Sequence, residues 1–477
     1  MASARLPVPR LGGAPRAWRH NRPASAYLIP AGLAFLGLAF GVLAGDSPRL
    51  AIAAALGLGF AGLVVANITV GLCLFAVVSF LEVLGSVGGS IGVTKAFGLL
   101  LVVSWFAAAS SRDDAEGANF ITAHPSMTYV LAIFVAWSTV SMLWAESTSV
   151  VLNSSFRYLQ NGLLFLIVFT AVRERRHAVW VTASFVAGAT ISAVFAIIYR
   201  PDPGQYDVAR ATGTIGDPNE LASVLVAGII LAGVLFFLVR KSPALRLATA
   251  GALGLCTLGL LFTFSRGGLV ALGCAIVASV FVGGRYRPAI LSVMIVVGLL
   301  GLGYFAAIAP QASRDRITKL DGGTGRTDIW RVGSRMVYAH PVTGVGSGNF
   351  QVSSVHYLLK DPGAVQYDYF IDHPKVAHNT YLHVLAELGI VGLALFLAIV
   401  GFAIGCAYKA ARAFTQAGDR DMELLARGLL LAMIGLLSAD FFISGQYSKQ
   451  LWLLLGLGPA MLAIAKTRAR RIDLGSF

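Results

Sequence analysis

Apolar runs long enough to cross a membrane recur along most of the chain, and no other feature constrains its fold as strongly. A membrane-spanning helix needs about 20 predominantly apolar residues. The runs predict about fourteen such helices, or about twelve if a closely spaced pair forms a re-entrant hairpin. The approximate spans are 27–44, 50–66, 68–85, 94–110, 127–144, 159–172, 178–198, 220–239, 247–264, 267–283, 289–309, 380–406, 424–443 and 450–466. We therefore expect an all-α polytopic membrane protein.

The composition agrees with a chain that resides in a bilayer. Of its 477 residues, 57% are hydrophobic and only 13% are charged, and the mean hydropathy is +0.75. Soluble domains carry about 25% charged residues, so this chain has too little polar surface to cover a water-soluble globule. Its 53 glycines lie largely inside the apolar runs, where they permit close packing of membrane helices.

The basic residues set the expected orientation. The net charge is +14, but Lys and Arg sit mostly at the ends of apolar runs, which favours a topology signal over nucleic-acid binding. Five arginines precede the first span, which predicts a cytoplasmic N-terminus. The loops that then fall inside carry Arg173, Arg175, Arg176, Arg240, Lys241, Arg246, Arg285, Arg287, Lys409, Arg412, Arg420 and Arg427. Both termini are therefore expected in the cytoplasm.

This topology predicts five segments. They are a basic cytoplasmic tail (1–26), an N-terminal transmembrane bundle (27–309), a long outer loop (310–379), C-terminal transmembrane helices (380–466) and a second cytoplasmic tail (467–477). A loop as long as 310–379 rarely lacks structure, so we expect helices and a site within it.

The entry to the span at 220–239 has the pattern of a capped helix. Asp217 is placed to cap it, Pro218 suits the first helical position and Glu220 falls in the first turn. A helix start presents unpaired N–H groups, and Arg210 lies shortly before it, so an anion could bind there. An ordinary capped helix, with Arg210 against lipid head groups, explains the pattern equally well.

An arginine separates two apolar runs with almost no loop in Ser265-Arg266-Gly267-Gly268. Charge near membrane depth is costly, so such residues tend to be functional. The two glycines would let another backbone or a ligand approach closely. The alternative is an interfacial arginine that reaches for lipid phosphates, and we favour function.

The long loop contains a predicted helix at about 326–339, which His340-Pro341 would end. Ile329, Val332 and Met336 give it one apolar face. Arg326 would stand at the helix start, where backbone N–H groups also favour an anion. A solvated amphipathic helix on the membrane surface fits the same pattern.

The return of the loop to the membrane carries histidines. Asn379 can cap the helix that follows, which leaves His378 at the water–lipid boundary, where a general base could act. Glu387 lies inside an apolar run and needs a partner, and His383 is the nearest candidate. A structural histidine is the alternative for His378.

A metal site is also conceivable in this region, from His340, His373, His378, Asp368 or Asp372. No HxxxH or HExxH pair is present, so we predict no metal ligands.

In this order, the motifs resemble the O-antigen ligase and polymerase family of bacterial membrane glycosyltransferases. The set comprises Asp217-Pro218-Asn219, Ser265-Arg266-Gly267-Gly268, Gly325-Arg326 with Trp330, His340-Pro341 with Gly344, Gly346 and Phe350, and His378-Asn379 with Leu382, Glu387, Gly389 and Gly392. The resemblance covers roughly residues 200–400 and implies a GT-C-like fold with a periplasmic loop.

The resemblance also implies an activity. Members take a glycan from an undecaprenyl diphosphate carrier on the outer face of the inner membrane and transfer it to an acceptor hydroxyl on lipid A–core, a glycan or a protein. Neither metal nor nucleotide is implied. Carried over, Arg266 and Arg326 would bind the diphosphate with Arg210 as a helper, and His378 would be the base. Asn379, Asp217, Ser265 and Glu387 would support them.

Several readings stay open within and beyond the family. A repeat-unit polymerase or a protein O-oligosaccharyltransferase would carry the same motifs. A transporter of lipid-linked glycans would show charges in the middle of several spans and repeated halves. Here Glu82 and Glu387 are the clearest intramembrane charges, so chemistry at the outer face is favoured over transport.

Overall fold

The computed structural model describes residues 66–81, 93–110, 120–199, 210–307, 326–358 and 375–474, together with 41, 42, 45, 59 and 62–64. Nearly all of these lie in one compact unit, Leu63–Phe477. Every regular element within them is helical. The helices are α1 (Ile68–Val78), α2 (Val93–Ser110), α3 (Phe120–Ala123), α4 (Pro125–Val140), α5 (Thr148–Ala171), α6 (Arg175–Ile198), α7 (Pro218–Leu238), α8 (Pro243–Phe262), α9 (Arg266–Val282), α10 (Arg287–Ala307), α11 (Arg326–Ala339), α12 (Phe350–Leu358), α13 (Thr380–Gln416), α14 (Arg420–Ala439) and α15 (Lys449–Leu474).

Eight helices in the described part of the chain are long and apolar enough to cross a membrane, and three shorter apolar helices accompany them. The prediction of an all-α polytopic membrane protein is confirmed. The predicted span at 27–44 and most of that at 50–66 lie outside the described residues. The span predicted at 159–172 is the second half of α5, a 24-residue helix that begins at Thr148.

Three helices form the centre of the bundle. In α7, α14 and α15, 83% of the most apolar stretch is buried, whereas only 6% of it is buried in the span that contains most of α10. Small residues let these helices touch: a Cβ added to Gly428 of α14 would lie 2.2 Å from Val234 of α7. Such close approach is how helices associate where no hydrophobic force acts between them.

The helix α13 is broken near its start. Gly389 has φ 65° and ψ −170°, which interrupts the helical ladder. The glycine-rich segment 341–346 docks at the break, where the N–H groups of Val345 and Gly346 donate to the carbonyls of Ala386 and Glu387. The N–H of Ile390 donates to Pro341 O at 2.9 Å. The run predicted as one unbroken span at 380–406 is thus two helical pieces joined at a site of strand-like docking.

The predicted loop helix is confirmed, with its bounds at Arg326–Ala339. The apolar side chains of Ile329, Val332 and Met336 are buried. They form a cluster with Phe350 of α12 and Ala386 of α13. The loop helices are therefore packed onto the membrane bundle at the end where α13 begins.

Charged residues gather at the opposite end of the bundle. Arg175 pairs with Asp421 at 2.5 Å, and Arg285 and Arg427 pair with Glu423 at 2.8 and 2.9 Å. These residues belong to the loops that the basic pattern assigns to one side of the membrane. The structure brings the loops after α5, α9 and α13 together at this end.

Candidate functional site

The entry to α7 is built as the sequence predicts. The Asp217 carboxylate accepts hydrogen bonds from the N–H groups of Asn219 and Glu220 at 2.7 and 2.9 Å, and Pro218 occupies the first helical position. Arg210 is buried and holds this entry in place. Its Nε donates to Thr263 O and its Nη2 to Asn219 Oδ1, both at 2.9 Å.

The turn between α8 and α9 packs directly against this entry. Ser265 Oγ donates to Asn219 Oδ1 at 3.0 Å and accepts from the N–H of Gly268 at 3.2 Å, so it caps α9. The sequence predicted close approach of a backbone or a ligand at the glycines, and the described neighbours are side chains. A Cβ on Gly268 would lie 2.7 Å from the Ala222 side chain. Arg266 is consequently the first residue of a helix that begins beside the start of α7.

His378 lies at the start of α13 in a left-handed backbone conformation, with φ 48°. The next residue, Asn379, caps α13 by accepting from the N–H of Leu382 at 3.0 Å. Trp330 of α11 donates to the preceding carbonyl, Ala377 O, at 3.0 Å. The loop helix and the start of the membrane helix thus hold the backbone of His378 from both sides.

Electrostatics connects His378 with two other motifs. Burial and the positive charge of Arg326 lower the pKa of His378 from its ordinary 6.5 to about 4, while Asp217 acts in the opposite direction. Lys375 adds a smaller depressing effect. The imidazole is therefore neutral at neutral pH, the state in which it can accept a proton. Charges at the starts of α7 and α11 therefore both act on the imidazole that precedes α13.

The connection between α14 and α15, residues 440–448, joins all these pieces. The rings of Phe441 and Trp330 meet edge to face, with centroids 5.8 Å apart. A Cβ on Gly267 would lie 2.9 Å from Phe442. The Ile443 carbonyl accepts from Thr380 Oγ1 at 2.9 Å. Sequence reasoning missed this role, because Trp330, Gly267 and Thr380 are all remote in sequence from the connection.

The predicted partner of Glu387 is confirmed. Its Oε1 lies 2.9 Å from His383 Nε2 in a buried pair, and it also accepts from the N–H of Phe350 at 3.2 Å. On its other side, the His383 ring bonds Ser444 Oγ at 2.9 Å. This pair connects α12, α13 and the 440–448 connection behind the start of α13. These contacts give the pair a structural role, in which it supports the start of α13.

Asp440 is a residue that sequence reasoning missed. It is fully buried, and within the described residues neither carboxylate oxygen has a hydrogen-bond partner. Burial and the charge of Glu220 raise its pKa well above the usual range. Its backbone carbonyl accepts from the N–H of Thr380 at 2.8 Å, two residues from His378. The sequence feature that could have identified Asp440 is a lone aspartate at the end of an apolar run.

The described residues include no group of three or more His, Cys, Asp or Glu side chains that could hold a metal ion. His373, Asp368 and Asp372, which the sequence offered as candidate ligands, lie outside the described part of the chain.

A helical membrane bundle with a buried polar site at one end defines this chain as a multi-pass membrane protein. Residues 250–397 match the family model described as O-antigen ligase, a stretch that includes Arg266, Arg326 and His378. Over these residues the chain is similar to the O-antigen ligase family.

Three curated relatives are similar to it. An O-antigen ligase of Pseudomonas aeruginosa is 30% identical over 298 residues, which is 61% of this chain and 66% of that one. The exopolysaccharide production protein ExoQ of Rhizobium meliloti is 24% identical over 284 residues, with 56% and 62% covered. The teichuronic acid biosynthesis protein TuaE of Bacillus subtilis is 22% identical over 343 residues, with 65% and 66% covered. The chain thus spans just under two thirds of each relative.

Proposed function

We propose that this protein is a glycosyltransferase that moves an oligo- or polysaccharide from a polyprenyl diphosphate carrier to an acceptor hydroxyl. The observation that carries the proposal is a His378 imidazole that burial and the charge of Arg326 keep neutral, at the point where a loop helix meets the start of a membrane helix. The match of residues 250–397 to the family model described as O-antigen ligase supports it. A lipid-linked donor and a water-exposed acceptor both reach such a boundary.

The arginines bind the diphosphate of the donor. Arg266 and Arg326 are each the first residue of a helix, so backbone N–H groups and the helix dipole add to their charge. Planar guanidinium groups match phosphate oxygens. Arg210 acts indirectly, because its guanidinium group donates hydrogen bonds to Asn219 and to the carbonyl of Thr263 and so holds the entry to α7 in place. Negative charge that develops on the leaving diphosphate is stabilised in this setting.

His378 is the general base. It takes the proton of the acceptor hydroxyl as the oxygen attacks the anomeric carbon of the donor sugar. A carbon–oxygen bond forms to the acceptor, and the bond from the anomeric carbon to the diphosphate oxygen breaks. Polyprenyl diphosphate leaves with the bonding electron pair, the anomeric configuration inverts, and the proton remains on His378 until solvent removes it. Asp217 opposes the field of Arg326 and stabilises the imidazolium.

The site end of the bundle faces away from the cytoplasm in this proposal. The loops rich in Lys and Arg converge at the other end, as the orientation rule for basic residues favours. We place the protein in the bacterial inner membrane, with 310–379 and the site on the periplasmic side and 1–26 and 467–477 in the cytoplasm.

A polymerase of the same family is the second candidate. It is favoured by similarity to proteins named for exopolysaccharide production and teichuronic acid biosynthesis. A polymerase would use a second carrier-linked glycan as its acceptor, where a ligase would use lipid A–core. A protein acceptor would define an O-oligosaccharyltransferase.

The test is glycan transfer in liposomes with purified wild type and His378→Asn. Asparagine tolerates the left-handed backbone at this position but cannot act as the base, so folding is spared. The donor is a polyprenyl-diphosphate oligosaccharide, and the acceptors are lipid A–core, the same carrier-linked glycan and a protein. We expect His378→Asn to lose about 100-fold to 10,000-fold in rate.

The matched control is His340→Gln, which changes an exposed histidine at the end of α11. It should transfer glycan at the wild-type rate. The acceptor that reacts assigns the protein as ligase, polymerase or protein glycosylase. Full activity of His378→Asn would refute the assignment of the base. Movement of the donor across the bilayer without any product would make the protein a transporter.

A further inference from the structure

A cavity of about 430 Å³ lies on the side of the bundle, outside the cluster of predicted site residues. Its walls come from α2, α5, the start of α7 and residues 443–450. Leu101, Leu164 and Val224 are among the apolar side chains that line it. The described residues that line it do not include Arg210, Arg266, Arg326 or His378. The cavity is therefore a separate compartment from the donor site proposed above.

The cavity opens toward the hydrocarbon of the bilayer. Leu99 of α2 and Phe156 of α5 line it while remaining 67% and 57% exposed at the surface of the bundle. Large apolar side chains exposed on a membrane helix face lipid. A hydrocarbon chain can consequently enter from the side without leaving an apolar environment.

One end of the cavity is cationic. Arg157 and Lys449 both line it, and the guanidinium carbon of Arg157 lies 4.0 Å from the centre of the Tyr447 ring. Within the described residues no carboxylate pairs with Arg157. The aromatic ring fixes the cation without neutralising it. Glu220 also lines the cavity, so the charged side chains among its described lining residues are two cations and one carboxylate.

The same wall links the cavity with the candidate active site. Ser444, which bonds His383 behind the start of α13, lines the cavity, and so does Gly445, which donates to Thr380. Glu220 lies three residues from Asp217 on the first turn of α7. A molecule bound here would reach the site from the side of α5 and α7, whereas Arg326 approaches from the loop helix α11.

We propose that this cavity binds the lipid that carries the acceptor glycan, with its hydrocarbon chain between α2 and α5 and its phosphate at Arg157 and Lys449. The proposal rests on the proposed function, because it names the second substrate of that site. An apolar cavity with one cationic end suits a ligand in which a hydrocarbon chain is attached to a phosphate. The donor occupies the arginines at the starts of α9 and α11.

Photo-crosslinking to lipid probes tests the cavity directly and does not depend on catalysis. The protein in liposomes receives probes with a photoreactive group in the hydrocarbon chain: a polyprenyl-diphosphate glycan, an acylated phosphoglycolipid of the lipid A–core type, and a neutral diacylglycerol. Labelled peptides are identified by mass spectrometry. We expect labelling at 97–106 and 156–164 by at least one phosphate-bearing probe, and the probe that labels identifies the acceptor lipid.

One variant fills the cavity with a side chain, and a second removes a positive charge from its wall. A Cβ on Gly98 would lie 3.6 Å from the Phe75 ring, so Gly98→Leu extends a side chain into the cavity without a backbone clash. Arg157→Gln removes the cation. Gly251→Leu, at a helical glycine with no atom within 4 Å, and Arg246→Gln, at another arginine stacked on an aromatic ring, are the matched controls.

We expect Gly98→Leu to abolish labelling by every probe. We expect Arg157→Gln to weaken labelling by the phosphate-bearing probe about tenfold, because a charge-assisted contact is lost, and to leave the neutral probe unchanged. Arg157→Gln should also raise the KM for the acceptor and leave the KM for the donor unaltered. Both controls should behave as wild type.

Labelling that survives Gly98→Leu, or a rise in the donor KM alone, would overturn the proposal. His378→Asn separates the two hypotheses, since it should lose transfer and keep the labelling. Phosphate-dependent labelling of a protein that transfers no glycan to any acceptor would refute the acceptor assignment together with the proposed function. Loss of transfer in His378→Asn without any labelling of the cavity would leave the proposed function standing and refute the cavity alone.

Discussion

Two residues in the described part of the chain are not glycine and yet have a left-handed backbone: Phe264, with φ 47°, and His378, with φ 48°. Each comes directly before a helix cap, Ser265 for α9 and Asn379 for α13. Non-glycine residues in this region cost of order 1 kcal/mol and persist where their surroundings enforce them. Both positions with this strain therefore lie at the motifs that hold Arg266 and His378.

The pH dependence of transfer belongs to the residue scale. In the proposed mechanism the base must be neutral, and burial and Arg326 lower the pKa of His378 to about 4. As pH falls, kcat/KM should therefore stay level through the ordinary histidine range and decline tenfold per unit only below about 4. The measurement is kcat/KM against pH for the liposome assay.

Arg326→Gln provides the comparison. Removing that cation removes one cause of the depressed pKa, so the acidic limb should move to higher pH even though the rate is lower at every pH. An acidic limb near 6.5 in the wild type, unaltered by Arg326→Gln, would contradict the environment assigned to His378.

At the scale of elements, the break in α13 determines how the loop meets the membrane. Helix carbonyls freed near Gly389 would be unsatisfied in an apolar setting, and unsatisfied backbone groups are costly there. The segment 341–346 supplies their partners. Trp137 of α4 donates to Leu388 O at 2.9 Å and completes the set. The break thus anchors the loop that carries α11 and Arg326.

Gly389→Ala tests this anchor. A Cβ there would lie 2.0 Å from Val342 O, and the φ of 65° disfavours any side chain. We expect a destabilisation of more than about 2 kcal/mol from strain and lost docking. Thermal unfolding of the detergent-solubilised protein, followed by tryptophan fluorescence, measures it.

Gly401→Ala is the control in the same helix, since no atom lies within 4 Å of its added Cβ. It should leave the midpoint unchanged or raise it, because alanine favours helix. If the two variants unfold at the same temperature, the docking of 341–346 contributes nothing to stability.

At the scale of the whole molecule, the orientation of the bundle can be measured by cysteine accessibility. Tyr338 of α11 is 86% exposed at the site end, and Lys241 is exposed at the other end. In a background without the four native cysteines, an impermeant maleimide should label Tyr338→Cys in intact spheroplasts. It should label Lys241→Cys only after permeabilisation. The reverse pattern would place the site in the cytoplasm and exclude a periplasmic reaction.

Much of the fold was predictable because the signals are local. A span is a property of about 20 consecutive residues, and a cap depends on neighbours within three positions. For this reason the caps at Asp217 and Asn379 and the loop helix at 326–339 were predicted correctly. The pairing of His383 with Glu387 followed from helical spacing alone.

The candidate site was predictable only as a set of separate pieces. Sequence motifs named Arg266, Arg326 and His378, while the roles of Asp440 and the 440–448 connection went unseen. The break at Gly389 was also missed. Hydropathy depends on side-chain composition, so it does not detect a single residue with non-helical backbone angles inside a helix.

The amino-acid sequence alone specifies the apolar environment that this chain needs, the capped starts of α7 and α13, and the charged side chains that stand near them. The action of Arg326 and Asp217 on His378 follows from helix packing, because these residues lie far apart in the chain. Burial and neighbouring charge set the pKa of an imidazole, and both arise when the helices pack. The same packing formed the cavity beside the site, because a cavity exists only between elements.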